Sequence, residues 1–191
     1  MRFSAILSFI MLAFGLAACG NSSTAEVGGP ATGAMPAAEG AAGSEVLVLE
    51  LTTGTVKIKL RPDLAPQHVA RVKQLAGEGF YNGIIFHRVI PGFMAQTGDP
   101  TGTGTGGSKY PDLPAEFTPT PFERGTVGAA RSSSPNSANS QFFICFTHAP
   151  NLNGQYTVWG QVIDGMTAVD KIAKGEPPPK PDKIVKAYIA Q

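Results

Sequence analysis

The sequence predicts a mostly β domain, a closed antiparallel barrel capped by two helices. Three observations carry this. Six or more short apolar stretches, alternating or continuous, recur along the chain and are bounded by turn-forming residues. Only two segments show helical spacing. Gly (23) and Pro (16) are abundant among the 191 residues while charged side chains make up 15%, a composition suited to a turn-rich β protein.

Taken in order, the chain opens with Arg2, an apolar run from Ala5 to Leu16, and small residues ending at Cys19. Such a run spans about 18 Å as a helix, too short for a hydrocarbon core of about 30 Å, so 1–18 reads as a secretory signal. Leu16-Ala17-Ala18-Cys19 resembles the bacterial lipobox. That resemblance implies cleavage after Ala18, lipidation of Cys19 and a firm membrane anchor through several acyl chains. Gly20 stands where an Asp would favour inner-membrane retention, so the expected location is the cell envelope facing the periplasm, with the outer membrane favoured. The segment 19–44 follows Cys19 with Ala, Gly, Ser, Thr and Pro and no Lys, Arg or aromatic residue. It cannot bury enough surface to offset its ordering entropy and is expected to be a flexible tether spanning roughly 25–30 Å.

Composition changes at Glu45, and 45–191 reads as one domain. Residues 46–51 and 55–60 alternate around Thr52-Thr53-Gly54 and predict a hairpin. Pro66 opens a helix to about Ala76, with Val69, Val72 and Leu75 on one face and Gly77 and Gly79 ending it. Strands are expected over 84–90, 93–97, 126–130, 141–146, 156–162 and 183–190, and a second helix over 166–173.

The chemistry on offer is narrow. Lys+Arg (15) nearly balance Asp+Glu (14), which argues against a basic nucleic-acid surface. Two cysteines exclude a disulfide scaffold and a Cys-rich zinc site. Cys145, within Phe142-Phe143-Ile144-Cys145-Phe146, reads as a small buried hydrophobe. His68 and His148 read as surface residues, and Asp99 in Gly98-Asp99-Pro100 as a turn former. Ser132-Ser133-Ser134 lacks the setting of a hydrolase nucleophile. The run 102–107 lacks the Lys-Ser/Thr ending of a phosphate loop and reads as a flexible loop. No carboxylates or histidines have metal-ligand spacing, so no metal or cofactor is expected.

One stretch stands apart. Phe80-Tyr81-Asn82-Gly83-Ile84-Ile85-Phe86-His87-Arg88-Val89-Ile90-Pro91-Gly92-Phe93-Met94-Ala95-Gln96-Thr97-Gly98-Asp99-Pro100 resembles the signature of the cyclophilin-type peptidyl-prolyl isomerases. Pro135-Asn136-Ser137-Ala138-Asn139-Ser140-Gln141-Phe142-Phe143-Ile144 matches the family's second conspicuous stretch, and Leu152-Asn153-Gly154 with Val158-Trp159-Gly160 the segment after it. The likeness runs from about Glu45 to the C-terminus.

The resemblance implies that Arg88 is the catalytic group and that Phe93, Met94 and Phe143 form the floor and walls of a proline pocket. It implies that Gln96 and Gln141 are polar side chains of the site, with Gln96 positioning the peptide and Arg88. Leu152 is implied as the far wall, Tyr156 as an aromatic neighbour, and Arg131, Ser132 and Asn151 as further substrate contacts. Alone, Phe93, Met94 and Phe143 would read as core and Arg88 as a surface ion-pair partner; the ordered motif changes that. Period-2 alternation puts His87 on the face opposite Arg88, which makes it structural. Ser132 stands where relatives have Asn, Asn151 where cyclosporin-sensitive relatives have Trp, and Ile84 is bulkier than usual. The implied activity is rotation of X-Pro bonds in exported polypeptides by a monomer. The rival from another class is a chaperone or adaptor that binds proline-containing segments without turnover; intact Arg88, Phe93, Gln96 and Phe143 favour the enzyme. A structural envelope tether would leave the site unexplained.

Overall fold

A computed structural model describes residues 45–190. The expected signal segment 1–18 and the expected lipidation residue and tether over 19–44 lie outside the described residues. The elements follow the order β1 (Val46–Leu51), β2 (Gly54–Leu60), α1 (Pro66–Gly77), β3 (Arg88–Ile90), β4 (Met94–Thr97), β5 (Thr126–Ala129), β6 (Phe142–Cys145), β7 (Val158–Asp164), α2 (Met166–Asp170) and β8 (Ile184–Ala190). A single 3-10 turn covers Pro150–Leu152.

All eight strands join one antiparallel sheet in the order β3-β4-β6-β5-β7-β2-β1-β8. The β1–β2 hairpin closes at Leu51↔Gly54, and its inward residues Leu47, Leu49, Leu51, Val56, Ile58 and Leu60 are buried. That burial is the direct consequence of period-2 alternation on one apolar face. Helix α1 packs against β8 and α2 against β2, covering the sheet as expected.

The mostly β antiparallel class with two helices holds, but the expected closed ladder does not. The sheet is curled into a half-barrel with β3 and β8 as its edges. Across the gap the described residues form two isolated bridges, Ile85↔Lys183 and Val89↔Gly175, in place of a continuous ladder. The strand expected over 84–90 is therefore reduced to β3. Two amides of the preceding segment instead reach β8 and the residues before it, with Phe86 N–H donating to Asp182 O at 2.9 Å and Gly83 N–H to Ile184 O at 2.7 Å, while Ile84 N–H bonds locally to Tyr81 O at 3.2 Å. The second helix stops at Asp170, short of residue 173, because Ala173 N–H donates to the Asp182 carboxylate at 2.8 Å rather than continuing the helix. Strand β7 starts at Val158 rather than 156; Thr157 just before it contributes its backbone carbonyl, which accepts from Ala129 N–H at 2.9 Å, and its hydroxyl, which accepts from Glu116 N–H at 3.0 Å.

His68 corrects its surface assignment: it is buried at 3% exposure on the inner face of α1. The Glu116 carboxylate accepts from Gln67 N–H (3.1 Å), His68 N–H (3.0 Å) and the His68 ring at Nδ1 (2.6 Å). A carboxylate from 48 residues away thus caps the helix N-terminus, where the dipole favours negative charge. The bonds from His68 and the two backbone amides outweigh the upward push of burial and hold the Glu116 carboxyl below its ordinary value.

Candidate active site

Register builds the site. Arg88 pairs with Gln96, Gln96 with Phe143, and Phe143 with Gly128, so one row crosses β3, β4, β6 and β5. Antiparallel neighbours in a row share a face, and the alternation sorts the two faces cleanly. Val89, Ala95, Phe142 and Ile144 enter the main core. Met94, Phe143 and Cys145 point the other way, into a second apolar cluster with Phe122, Ala149, Leu152 and Val158.

Over that second cluster lies a cavity of about 250 Å³ lined by Arg88, Phe93, Met94, Gln96, Ala130, Arg131, Phe143, Asn151, Leu152 and Tyr156. Its floor is fixed by packing. Phe143 stacks on Phe122 at 5.7 Å and 27° and meets Tyr156 edge-on at 5.7 Å and 84°. Leu152 enters from the 3-10 turn, and Asn151 beside it is exposed at the rim.

Beyond Gln96, Ala130 and Arg131, which both cavities share, lies a larger polar cavity of about 520 Å³. Ser132, Ser137, Asn139 and Gln141 line it together with the loop 104–108. That loop, read as flexible from its composition, is pinned on two sides. Asp99 accepts from Thr101 N–H and Oγ1 (each 2.7 Å) and Gly104 N–H (2.6 Å), which bears out its turn-forming role. These bonds outweigh burial and hold its carboxyl down at about 2. Gln141 Nε2 donates to Gly104 O (3.0 Å) and Gly106 O (2.8 Å), and its Oε1 accepts from Gln96 Nε2 at 2.9 Å. Asn139 ties the same loop to the segment after it, accepting from Ser108 and donating to Tyr110 O and Asp112.

The sequence-predicted residues are thus brought together, with some roles redistributed. Gln96 lies opposite Arg88 but donates to Gln141; the Arg88 Nε donates instead to Glu176 Oε1 at 2.6 Å. Arg131 gives its guanidinium to its own chain, with Nε and Nη2 donating to Gln155 O and Nη1 to Ser132 O. The same group sits 4.6 Å from the Tyr156 ring centre and 5.9 Å from that of Phe117, stapling the loop that carries Leu152 and Tyr156. Ser132 N–H donates to Ser137 Oγ at 2.9 Å. His87 is buried on the opposite face, as alternation requires, with neither ring nitrogen hydrogen-bonded.

Ala130, Phe122 and Glu176 were not legible as site residues. Phe122 and Glu176 lie in stretches without strand or helix periodicity, and Ala130 carries no chemistry to flag it.

Chemically the site offers an apolar pocket, a guanidinium at its lip and a row of amide side chains beyond. Cys145 is no nucleophile: burial pushes its thiol up to about 12. Among the described residues, no group of three or more His, Cys, Asp or Glu is placed to hold a metal ion.

A sequence-family model described as "Cyclophilin type peptidyl-prolyl cis-trans isomerase/CLD" matches residues 46–189. A probable peptidyl-prolyl cis-trans isomerase of Brucella suis is 57% identical over 173 residues, covering 82% of this chain and 88% of the relative. A peptidyl-prolyl cis-trans isomerase of Helicobacter pylori is 40% identical over 131 residues, covering 67% and 80%. Among solved structures, a Cryptosporidium parvum cyclophilin-type isomerase, crystallised in the presence of the dipeptide Ala-Pro, is similar with a TM-score of 0.72 and 31% identity over 76% of this chain and 99% of that one.

Proposed function

The chain belongs to the cyclophilin-type peptidyl-prolyl cis-trans isomerases, and from that premise we propose that Arg88 is the group that lowers the rotation barrier while the 250 Å³ cavity holds the proline ring. The observation that carries this reading is the placement of Arg88 at the lip of the apolar pocket formed by Phe93, Met94, Phe143 and Leu152.

Rotation about an X-Pro bond meets a barrier of about 20 kcal/mol because the twisted amide loses its resonance. No bond to a heavy atom forms or breaks, so neither nucleophile nor acid–base pair is required. As the amide twists, the prolyl nitrogen becomes pyramidal and more basic. A donor held at the pocket lip then binds the twisted state better than either planar one, which is the condition for catalysis. Phe143 on Phe122 gives the ring a dry, rigid seat. The residues before proline run toward Gln96 and Gln141 and the polar cavity beyond.

On the same reading the protein is a lipoprotein, anchored through Cys19 with 19–44 as its tether. It faces the periplasm, with the outer membrane favoured, and assists the folding of exported envelope proteins. What supports this is the order of Arg2, the apolar run, Leu16-Ala17-Ala18 and Cys19.

Titration of the protein with a short X-Pro peptide tests the assignment of the pocket. The amide resonances of Phe93, Phe143 and Leu152 are expected to shift together and saturate; shifts confined to other surfaces overturn it.

A further inference from the structure

Arg88 is a long, half-exposed side chain, and something must hold its guanidinium at the pocket lip for it to act as a preorganised donor. The bridge Val89↔Gly175 is made by two backbone bonds, Val89 N–H to Gly175 O at 2.8 Å and Gly175 N–H to Val89 O at 2.9 Å. In antiparallel register this sets Glu176 directly opposite Arg88, on the side away from Gln96. Gly175 has φ +144°, and a methyl there would stand 2.7 Å from Pro178 Cα, so the backbone leading into Glu176 is built for glycine. The Glu176 Oε1 takes the Arg88 Nε–H at 2.6 Å. The two terminal nitrogens of Arg88 make no hydrogen bond among the described residues.

We propose that Glu176 is a positioning residue for the isomerase reaction: by binding Nε it locks the Arg88 rotamer and leaves the terminal NH2 groups for the twisting amide. This rests on the reading of Arg88 as the catalytic group. An acceptor held at one edge of a guanidinium fixes the plane of that group as well as its position. The carboxylate comes from the segment between α2 and β8, so the bridge that ties this segment to β3 also orients the reacting side chain.

The variants Glu176→Ala, Glu176→Gln and Glu176→Asp separate reach from charge. Kinetics by exchange spectroscopy should show kcat of Glu176→Ala down about five- to tenfold, with KM within about twofold, because the loss falls on the transition state. Glu176→Gln keeps an acceptor at the same reach and should recover most of the rate. Glu176→Asp keeps the charge, falls one methylene short and should recover less than Gln. Glu176→Ala in an Arg88→Ala background should cost nothing further. Unchanged kcat in Glu176→Ala, Asp outperforming Gln, or the same loss in the absence of Arg88 each overturns the proposal. Should the Ala variant not fold, the Gln-against-Asp order decides. A normal rate in Arg88→Ala alone would instead overturn the reading of Arg88 on which this rests.

Discussion

Gly128 and Phe143 face each other across the β5–β6 ladder, and a methyl at position 128 would stand 2.6 Å from Phe143 Cζ and 2.6 Å from Phe122 Cε1. The glycine is there for space: the floor of the cavity rests on a backbone with no side chain.

Gly128→Ala is therefore expected to tilt Phe143 into the cavity. Overpacking of this kind costs about 1–3 kcal/mol, so Tm should fall by about 2–12 °C. Affinity for X-Pro peptides should fall about tenfold or more as the seat of the ring fills. Thermal melts and peptide titration check this; a variant with unchanged Tm and affinity would show that the Phe143 ring has room to move aside.

His87 and His68 give the fold an acid sensitivity whose sign follows from burial. Desolvation holds His87 below the usual histidine range, with the Asp99 charge opposing it, and lowers His68 against the pull of Glu116. As pH drops below about 6.5 the unfolded chain takes up these protons while the folded one resists. The unfolded state then binds more protons, so stability falls as pH falls through that window and is complete above it. Unfolding free energy is expected to be lower at about pH 5.5 than at about pH 7.5. His87→Leu, which removes a buried ring with two unpartnered nitrogens, should flatten the slope. Equal slopes in the two proteins would contradict this account of His87.

Cys19→Ser tests the proposed anchor. The variant should leave the membrane fraction and lose its lipid mass, while its isomerase rate stays within about twofold, since all the residues lining the pocket lie between 88 and 156. Membrane retention by Cys19→Ser would contradict lipidation at this residue.

What the sequence made legible was local. The alternation in 46–51 and 55–60, Pro66 with the Val69-Val72-Leu75 face, and the unbroken apolar run around Phe143 each carried their element, because period and turn chemistry are written in neighbouring residues. The site residues were legible through an ordered motif; none of Arg88, Met94 or Phe143 declares a role by its own type. What stayed hidden was long-range. Glu116 capping α1 and Glu176 binding Arg88 join residues 48 and 88 apart, and no local pattern marks either glutamate. The curl of the sheet likewise decides whether its edges meet in a ladder or in two bridges, and strand content alone does not carry that. Arg131 shows the same limit, since its staple to Gln155 O depends on where an exposed loop folds back.

The most direct test of the central claim is exchange spectroscopy on a short X-Pro peptide with the unmodified protein and with Arg88→Ala. Arg88 lines the pocket but takes no part in its apolar floor, so the variant should fold normally and bind peptide with affinity changed less than about threefold. If Arg88 acts on the twisting amide, kcat falls about 10²–10³-fold, the loss expected on removing one donor that acts in the transition state. A folded Arg88→Ala protein that interconverts the peptide at the unmodified rate would contradict it and leave the pocket, without its arginine, as the source of catalysis.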